Sequence, residues 1–392
     1  MSDVVSDPDS GNRFRSKSAE ESVKIGMALK KRAGLSRISS INKLANQLMP
    51  VFQGYRPHST IDISTCSGKG LTTELALASL LFEAYEIAVA ERVRCQSIVL
   101  SSRKMVDSKM DHVPVGSLGQ VGFCEDKAVE WIPVKDFDTD TWVYAPIASL
   151  YFHPGIFSAT SNGLATGLSF YESLMYGLLE VVERHAHTWA LLRKRAFSVR
   201  NYKSQISAEL KDELLSLQEQ GVQVEINDIS TELGIPCFYS VFVEPTLDGM
   251  RSFNSGVACH LDKKTALESA ISEALQSRAV SVSGSREDLN EKHSAIGDSR
   301  VFSFWYSSDS KEQRDFDDII SLTAISSLSA INLILETVRK NDKSLGRYLY
   351  YTYPSENGTY VTRSIIEGAE QFGLCRHRFG QSVFNYLKGS IG

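Results

Sequence analysis

The sequence has no Cys-x-x-Cys pair. Its six cysteines, Cys66, Cys95, Cys124, Cys237, Cys259 and Cys375, are scattered, which argues against a structural zinc site and a disulfide framework. GxxxxGK[ST] does not occur, so there is no Walker A phosphate loop. No apolar run is long and clean enough to span a bilayer. The first residues, MSDVVSDPDSGNRFRSKS, lack the apolar segment of a signal peptide. Positive charge is not in excess: Lys+Arg is 42 against Asp+Glu 47, a formal net charge of -5. Nothing electrostatic therefore points to nucleic acid. The basic residues between Lys24 and Arg37 read as a solvated helix face. A cytoplasmic protein with neither nucleic-acid nor membrane partners is expected.

What is present is an ordinary globular composition, 42% hydrophobic and 23% charged over 392 residues. Residues 1–14 are expected to be disordered, being polar and nearly free of large apolar groups. Ser18 followed by Glu21 predicts a capped helix over 19–32. Long helices are predicted over 72–92, 170–193 and 264–280, with another over 329–340. The loops CSGKGLT and TSNGLATGLS are expected to lead into the first two of the long helices. Strands are predicted in QSIVLSS, VGFCE, AVEWIPV, TWVYAPIASLYF, VQVEINDIS, CFYSVFVEP, RYLYYTYP and YVTRSII. Short turns join several of these strands, so an α+β fold with largely antiparallel sheets is expected. The expected division is an N-terminal extension over 15–60, contributing to the binding site, and one large domain over 61–392.

The polar residues inside the apolar helices carry the chemistry. Ser79, Glu83 and Glu86 fall on one helical face at i, i+4 and i+7. Glu172, Glu180 and Glu183 share a face of the second helix at i, i+8 and i+11, followed by Arg184. The third presents Ser269, Glu273 and Gln276, with Arg278 nearby. One such pair is usually a solvated face. Three apolar helices with the same pattern suggest carboxylates brought together in an interior, where lone charges are too costly to bury. Hard oxygen donors suit Mg²⁺, whose sites commonly add substrate phosphates, so a nucleotide is the natural third party. Small residues and amides ahead of the helices, with Lys69, would favour an anion. His185 and His187 are two apart and face different ways, so packed histidines are expected. Cys66 reads as a small buried thiol.

With these residues in place, the chain resembles the YcaO family of ATP-dependent enzymes. The matching elements are Gly68, Lys69 and Gly70 before Ser79, Glu83 and Glu86; Asn162, Gly163, Gly167, Glu172, Glu180, Glu183 and Arg184; Glu273, Gln276 and Arg278, then SGSREDL from Ser283 to Leu289; and Arg15 with Ser22. The closing YYTYPSENGTYVTRSIIEGAEQFG is similar to the family's last strands, and the resemblance runs from about residue 13 to about residue 385. It implies Mg²⁺ ligation by Glu83, Glu86, Glu180, Glu183 and Glu273, directly or through water. It implies that Arg15, Ser22, Lys69, Ser79, Glu172, Arg184, Gln276 and Arg278 contact ATP or order its site. The chain departs from the usual pattern at Ile87 (usually Arg), His185 (usually Asp), Leu168 (usually Asn) and Ala165 (often Ser). It also lacks a Pro-rich C-terminus.

Family members phosphorylate a backbone amide oxygen of a precursor peptide with ATP, after a nucleophile has attacked the amide carbon. An azoline or a thioamide results. The resemblance implies a precursor peptide as substrate, an E1-like (ThiF-like) or TfuA-like partner protein, and a homodimer. The alternatives are a degenerate member that binds peptide or scaffolds without turnover, an accessory factor for ribosomal-protein thiol modification, and a simple Mg²⁺-dependent phosphohydrolase.

Overall fold

The computed structural model describes residues 14–61, 64–152, 160–245, 251–285, 304–306, 311–372 and 378–389. The expected disorder of the N-terminus falls outside these residues apart from Phe14, which is buried. The SGSREDL element is described only through Ser285.

Two compact units make up the chain, and each draws on separate stretches of sequence. The first comprises residues 1–16, 86–188 and 325–392; the second comprises 17–85 and 189–324. Residues 17–60 are thus built into the second unit.

The second unit begins with α1 (Ala19–Leu29). Ser18 Oγ accepts from the Glu21 amide, and the Glu21 carboxylate accepts from the Ser18 amide, giving the expected capping box. Three antiparallel strands follow, β1 (Arg37–Ser40), β2 (Val51–Tyr55) and β3 (Thr65–Lys69), paired in that order. Of the CSGKGLT segment expected to be a loop, Cys66 to Lys69 are therefore strand, within β3. Each of its residues pairs with β2, from Tyr55↔Thr65 to Val51↔Lys69. Helix α2 (Thr73–Ala90) starts where Thr72 Oγ1 accepts from the Leu75 amide; it enters the first unit after Tyr85.

Gly68 explains why that strand carries glycine. A Cβ there would stand 2.2 Å from the Leu80 amide nitrogen and 2.3 Å from the Ala76 carbonyl, so strand and helix backbones pack directly. Gly68→Ala is expected to cost about 1–3 kcal/mol as an overpacked contact with main chain that cannot step aside. Gly116→Ala, where a Cβ meets nothing within 4 Å, should change the thermal midpoint little. Equal shifts for the two variants would remove the argument. The same close approach recurs at Gly167, before its helix, and at Gly256.

A five-stranded sheet completes the second unit. It consists of β8 (Phe197–Arg200), β9 (Gln223–Asp228), β10 (Cys237–Pro245), β11 (Arg251–Cys259) and β12 (Gln313–Asp315), in the order β11-β10-β9-β8-β12. All pairs are antiparallel except β12 with β8. Helices α5 (Ala208–Glu219) and α6 (Lys263–Ser283) contribute to one apolar core with this sheet, including Leu210, Leu217, Phe238, Phe242, Ile271 and Leu275. Asp262 caps α6 through the Thr265 amide, and Gly284 ends it at φ 60.

In the first unit, β4 (Ile98–Ser101), β5 (Ala128–Asp136), β7 (Leu164–Gly167), β13 (Tyr348–Tyr353) and β14 (Tyr360–Ile366) form an antiparallel sheet ordered β4-β5-β13-β14-β7. Strand β6 (Trp142–Pro146) pairs with β5. The TSNGLATG segment, expected as a loop, contains β7, which pairs with β14. The expected strand VGFCE is instead a turn, with Gly122 at φ 72. Helix α4 (Phe170–Arg193) begins where predicted, its N-terminus capped by Ser169 Oγ on the Glu172 amide. It packs on β13 and β14, where the Tyr348 hydroxyl and Ser364 Oγ both donate to the Leu174 carbonyl. Further helices are α3 (Ser102–Asp107), α7 (Ser327–Asn341) and α8 (Gln381–Gly389). Among the described residues no helix is long and apolar enough to cross a membrane.

Candidate nucleotide and metal site

In the second unit, β3 and α6 are joined by two polar contacts in register. Ser67 and Lys69 lie two apart on the strand and share a face. Glu273 and Gln276 lie three apart on the helix and also share a face. Lys69 Nζ meets Glu273 Oε2 at 2.7 Å, and Gln276 Nε2 donates to Ser67 Oγ at 2.6 Å. The two glycines of the GKG triplet serve strand–helix packing, while the lysine between them turns to Glu273.

Arg278 belongs to the fold of this unit. Its side chain is 7% exposed. Nε and Nη2 donate to the Glu244 carboxylate at 3.2 and 2.9 Å, and Nη1 donates to the Ala45 carbonyl and, at 3.4 Å, to Gln47 Oε1. Ser22 Oγ donates to the Ser18 carbonyl one turn back in α1.

Helix α2 buries Ala76, Leu80, Leu81, Ala84 and Ala88 but leaves Ser79, Glu83 and Glu86 half-buried. This corrects the expectation of a helix enclosed on all sides. The stripe that carries the acids is reachable from solvent. Of the five candidate metal ligands only Glu183 is buried, at 9% exposure.

In the first unit Glu172 is a hub. Its carboxylate accepts from Arg15 Nη1 at 3.0 Å, Ser16 Oγ at 2.7 Å, the Ser16 amide at 3.3 Å and the Leu168 amide at 3.1 Å. Four donors on one carboxylate fix its orientation. The Arg15 guanidinium also lies 3.9 Å over the Tyr176 ring. Tyr176 and Ser16 were not anticipated. The available signal was spacing, since Tyr176 is one turn beyond Glu172 on the face that continues to Glu180 and Glu183. Glu86 lies within electrostatic reach of Arg15 and of Tyr353.

Further along α4, Arg184 bridges Glu180 at 3.7 Å and Glu183 at 3.3 Å, and Glu180 Oε2 accepts from the Gly163 amide at 3.2 Å. His185, 1% exposed, is packed as its spacing suggested: Nε2 donates to Asp342 and Nδ1 accepts from the Glu370 amide. That hydrogen bond from His185 holds the Asp342 carboxyl well below the usual carboxylate range. Cys66 is a buried thiol.

Among the described residues no three His, Cys, Asp or Glu side chains form a preformed metal cage. Mg²⁺ bound with a nucleotide needs only one or two carboxylates, because waters and phosphates fill the octahedron. The carboxylate-only donor set fits such an ion. The lysine and arginine beside these carboxylates balance their charge and would also favour phosphate.

A sequence model described as YcaO cyclodehydratase, ATP- and Mg²⁺-binding, matches residues 67–370. The chain belongs to the YcaO family. It is 28% identical over 371 residues to an uncharacterised protein of Methanothermobacter thermautotrophicus, covering 89% of this chain and 93% of the relative. It is also 28% identical over 282 residues to a protein of Rhizobium leguminosarum bv. trifolii named for its place in the tfuA 3′ region, covering 66% of this chain and 65% of the relative. Two solved structures share the fold. The YcaO protein of Methanopyrus kandleri bound with AMPPCP and Mg²⁺ has a TM-score of 0.75 at 22% identity, covering 97% of this chain and 98% of that one. A heterocyclase in complex with substrate and cofactor has a TM-score of 0.79 at 17% identity, covering 99% of this chain. The chain spans only 57% of that heterocyclase.

Seen as a YcaO protein, two departures from the usual pattern acquire a physical setting. At position 168 the contact to Glu172 comes from the main-chain amide, so leucine preserves it. At position 185 the imidazole is committed on both nitrogens to residues of the same unit.

Proposed function

We propose that the protein uses Mg²⁺ and ATP to activate a backbone amide in a ribosomally made precursor peptide. The observation that carries the reading is the placement of Glu83 and Glu86 on one face of α2, of Glu180 and Glu183 beside Arg184 on α4, and of Glu273 beside Lys69 on α6, in a YcaO chain. Glu83, Glu86, Glu180, Glu183 and Glu273 would hold Mg²⁺, directly or through water. When bound, the ion supplies charge neutralisation for phosphoryl transfer.

The chain's own residues do the rest of the work. Arg184 bridges two carboxylates side by side on α4, and Lys69 pairs with Glu273. Glu172 fixes Arg15 and Ser16 against α4. In the reaction a thiol, hydroxyl or sulfide adds to the amide carbon, and the amide oxygen takes the γ-phosphoryl group of ATP. Phosphate then departs with that oxygen, leaving an azoline or a thioamide. An amide oxygen is a poor leaving group until it is phosphorylated.

The relative named for the tfuA 3′ region supports a TfuA-like partner and the thioamide outcome. An E1-like partner and an azoline are the alternative. The test supplies the chain with Mg²⁺, ATP, a precursor peptide and each partner in turn, and follows phosphate release and peptide mass. Peptide-dependent ATP use should accompany either loss of water or replacement of oxygen by sulfur. Equal ATP turnover without peptide would indicate a phosphohydrolase. No turnover with every component present would favour the scaffold reading raised by Ile87, Leu168 and His185.

A further inference from the structure

Arg363, on β14, is 1% exposed and is among the largest fully enclosed side chains of the molecule. Among the described residues no carboxylate pairs with it. A guanidinium stays charged, and enclosing it without a counter-ion is expensive. Its donors go to main-chain carbonyls instead. Nη1 donates to the Asn162 carbonyl at 2.7 Å and Nη2 to the Leu150 carbonyl at 3.3 Å, the latter shared with the Tyr353 hydroxyl. Nε has no hydrogen-bond partner among the described residues.

The Asn162 carbonyl and the Gly163 N–H belong to one planar peptide group. That N–H donates to Glu180 Oε2 at 3.2 Å. A single peptide therefore links the buried guanidinium on one side to the Glu180 carboxylate on the other, and a donor on its carbonyl strengthens the bond its N–H makes. The next residue of β14 locks the arrangement, as the Ser364 amide donates to the Gly163 carbonyl at 2.8 Å. Gly163 has φ 78, and a Cβ there would lie 2.2 Å from the Ser364 carbonyl oxygen.

We propose that Arg363 is the positioning residue for Glu180: it orients the 162–163 peptide so that the Gly163 N–H holds the carboxylate in the orientation used toward Mg²⁺ and ATP. The proposal rests on the reading that Glu180 is a metal ligand. Its test compares Arg363→Met, Arg363→Lys and Glu180→Gln with the parent chain. The first readout is calorimetric binding of Mg²⁺ in the presence of a non-hydrolysable ATP analogue. The second is hydrogen exchange at the Gly163 amide, and the third is the thermal midpoint.

Arg363→Met is expected to raise the Mg²⁺ concentration for half-saturation about tenfold to a hundredfold, the usual loss when a ligand's hydrogen-bonded support is removed. It should also lose protection at Gly163. Arg363→Lys, which keeps the charge and one donor contact, should recover part of both. A folded Arg363→Met protein with parental Mg²⁺ binding and a protected Gly163 amide overturns the proposal. So does collapse of the fold in both Arg363 variants, because the guanidinium then supports the whole unit. If Glu180→Gln abolishes Mg²⁺ binding while Arg363→Met does not, only the positioning role is lost. If Glu180→Gln binds Mg²⁺ as the parent does, the metal reading falls, and the proposal with it.

Discussion

Glu183→Gln is expected to lower Mg²⁺-dependent ATP consumption about a hundredfold or more, with little change in the thermal midpoint. Glu183 is the most enclosed of the five candidate ligands, and its partner Arg184 also faces Glu180. Glutamine keeps the shape of the side chain but removes the charge a hard cation needs, and losing a charged group that acts in the transition state costs on that scale. Arg184 retains Glu180, so no cation is stranded and the fold has little reason to suffer. Steady-state phosphate release at several Mg²⁺ concentrations, alongside a melting curve, decides the matter. Parental ATPase activity in the folded variant would end the metal assignment at this residue. A large drop in melting temperature would show that Glu183 belongs to the fold.

Arg278→Ala carries the largest expected effect on stability. The side chain is 7% exposed and makes charge-assisted bonds to Glu244, itself 19% exposed, while also capping the Ala45 carbonyl. Removing one partner leaves a largely enclosed carboxylate uncompensated, which typically costs about 3–5 kcal/mol. Arg278→Met combined with Glu244→Leu should recover much of that loss, because two apolar groups leave no stranded charge. Urea unfolding of the two proteins checks this. A loss below about 1 kcal/mol in the single variant, the range of exposed ion pairs, would contradict the burial argument. The resemblance assigned Arg278 to contacting nucleotide or ordering its site. The contacts of the side chain go to Glu244, Ala45 and Gln47 of its own unit.

The elements legible in the sequence are those whose cause is local. Ser18 with Glu21 specified the start of α1 because a capping box needs only neighbouring residues. Helices α2 and α4 followed from uninterrupted apolar segments, and their acid spacing translated directly into shared faces. Strands β5, β10, β13 and β14 were readable because aromatic and β-branched runs favour a pleated surface. Strands β3 and β7 were not, since short segments containing glycine and small residues look like turns until a partner strand is known.

The sequence alone therefore determined that acid residues would sit in ranks on apolar helices, and that the chain would build antiparallel sheets. Only the tertiary structure decided how those polar groups are used. Arg15 finds Glu172 across 157 residues, and Arg278 finds Ala45 across 233. The same level of structure left the acid stripe of α2 half-exposed, and set Arg363 against a peptide bond instead of a carboxylate. Helical periodicity is written in adjacent residues, whereas the partner of a buried charge is set by which distant backbone the fold brings within hydrogen-bonding reach.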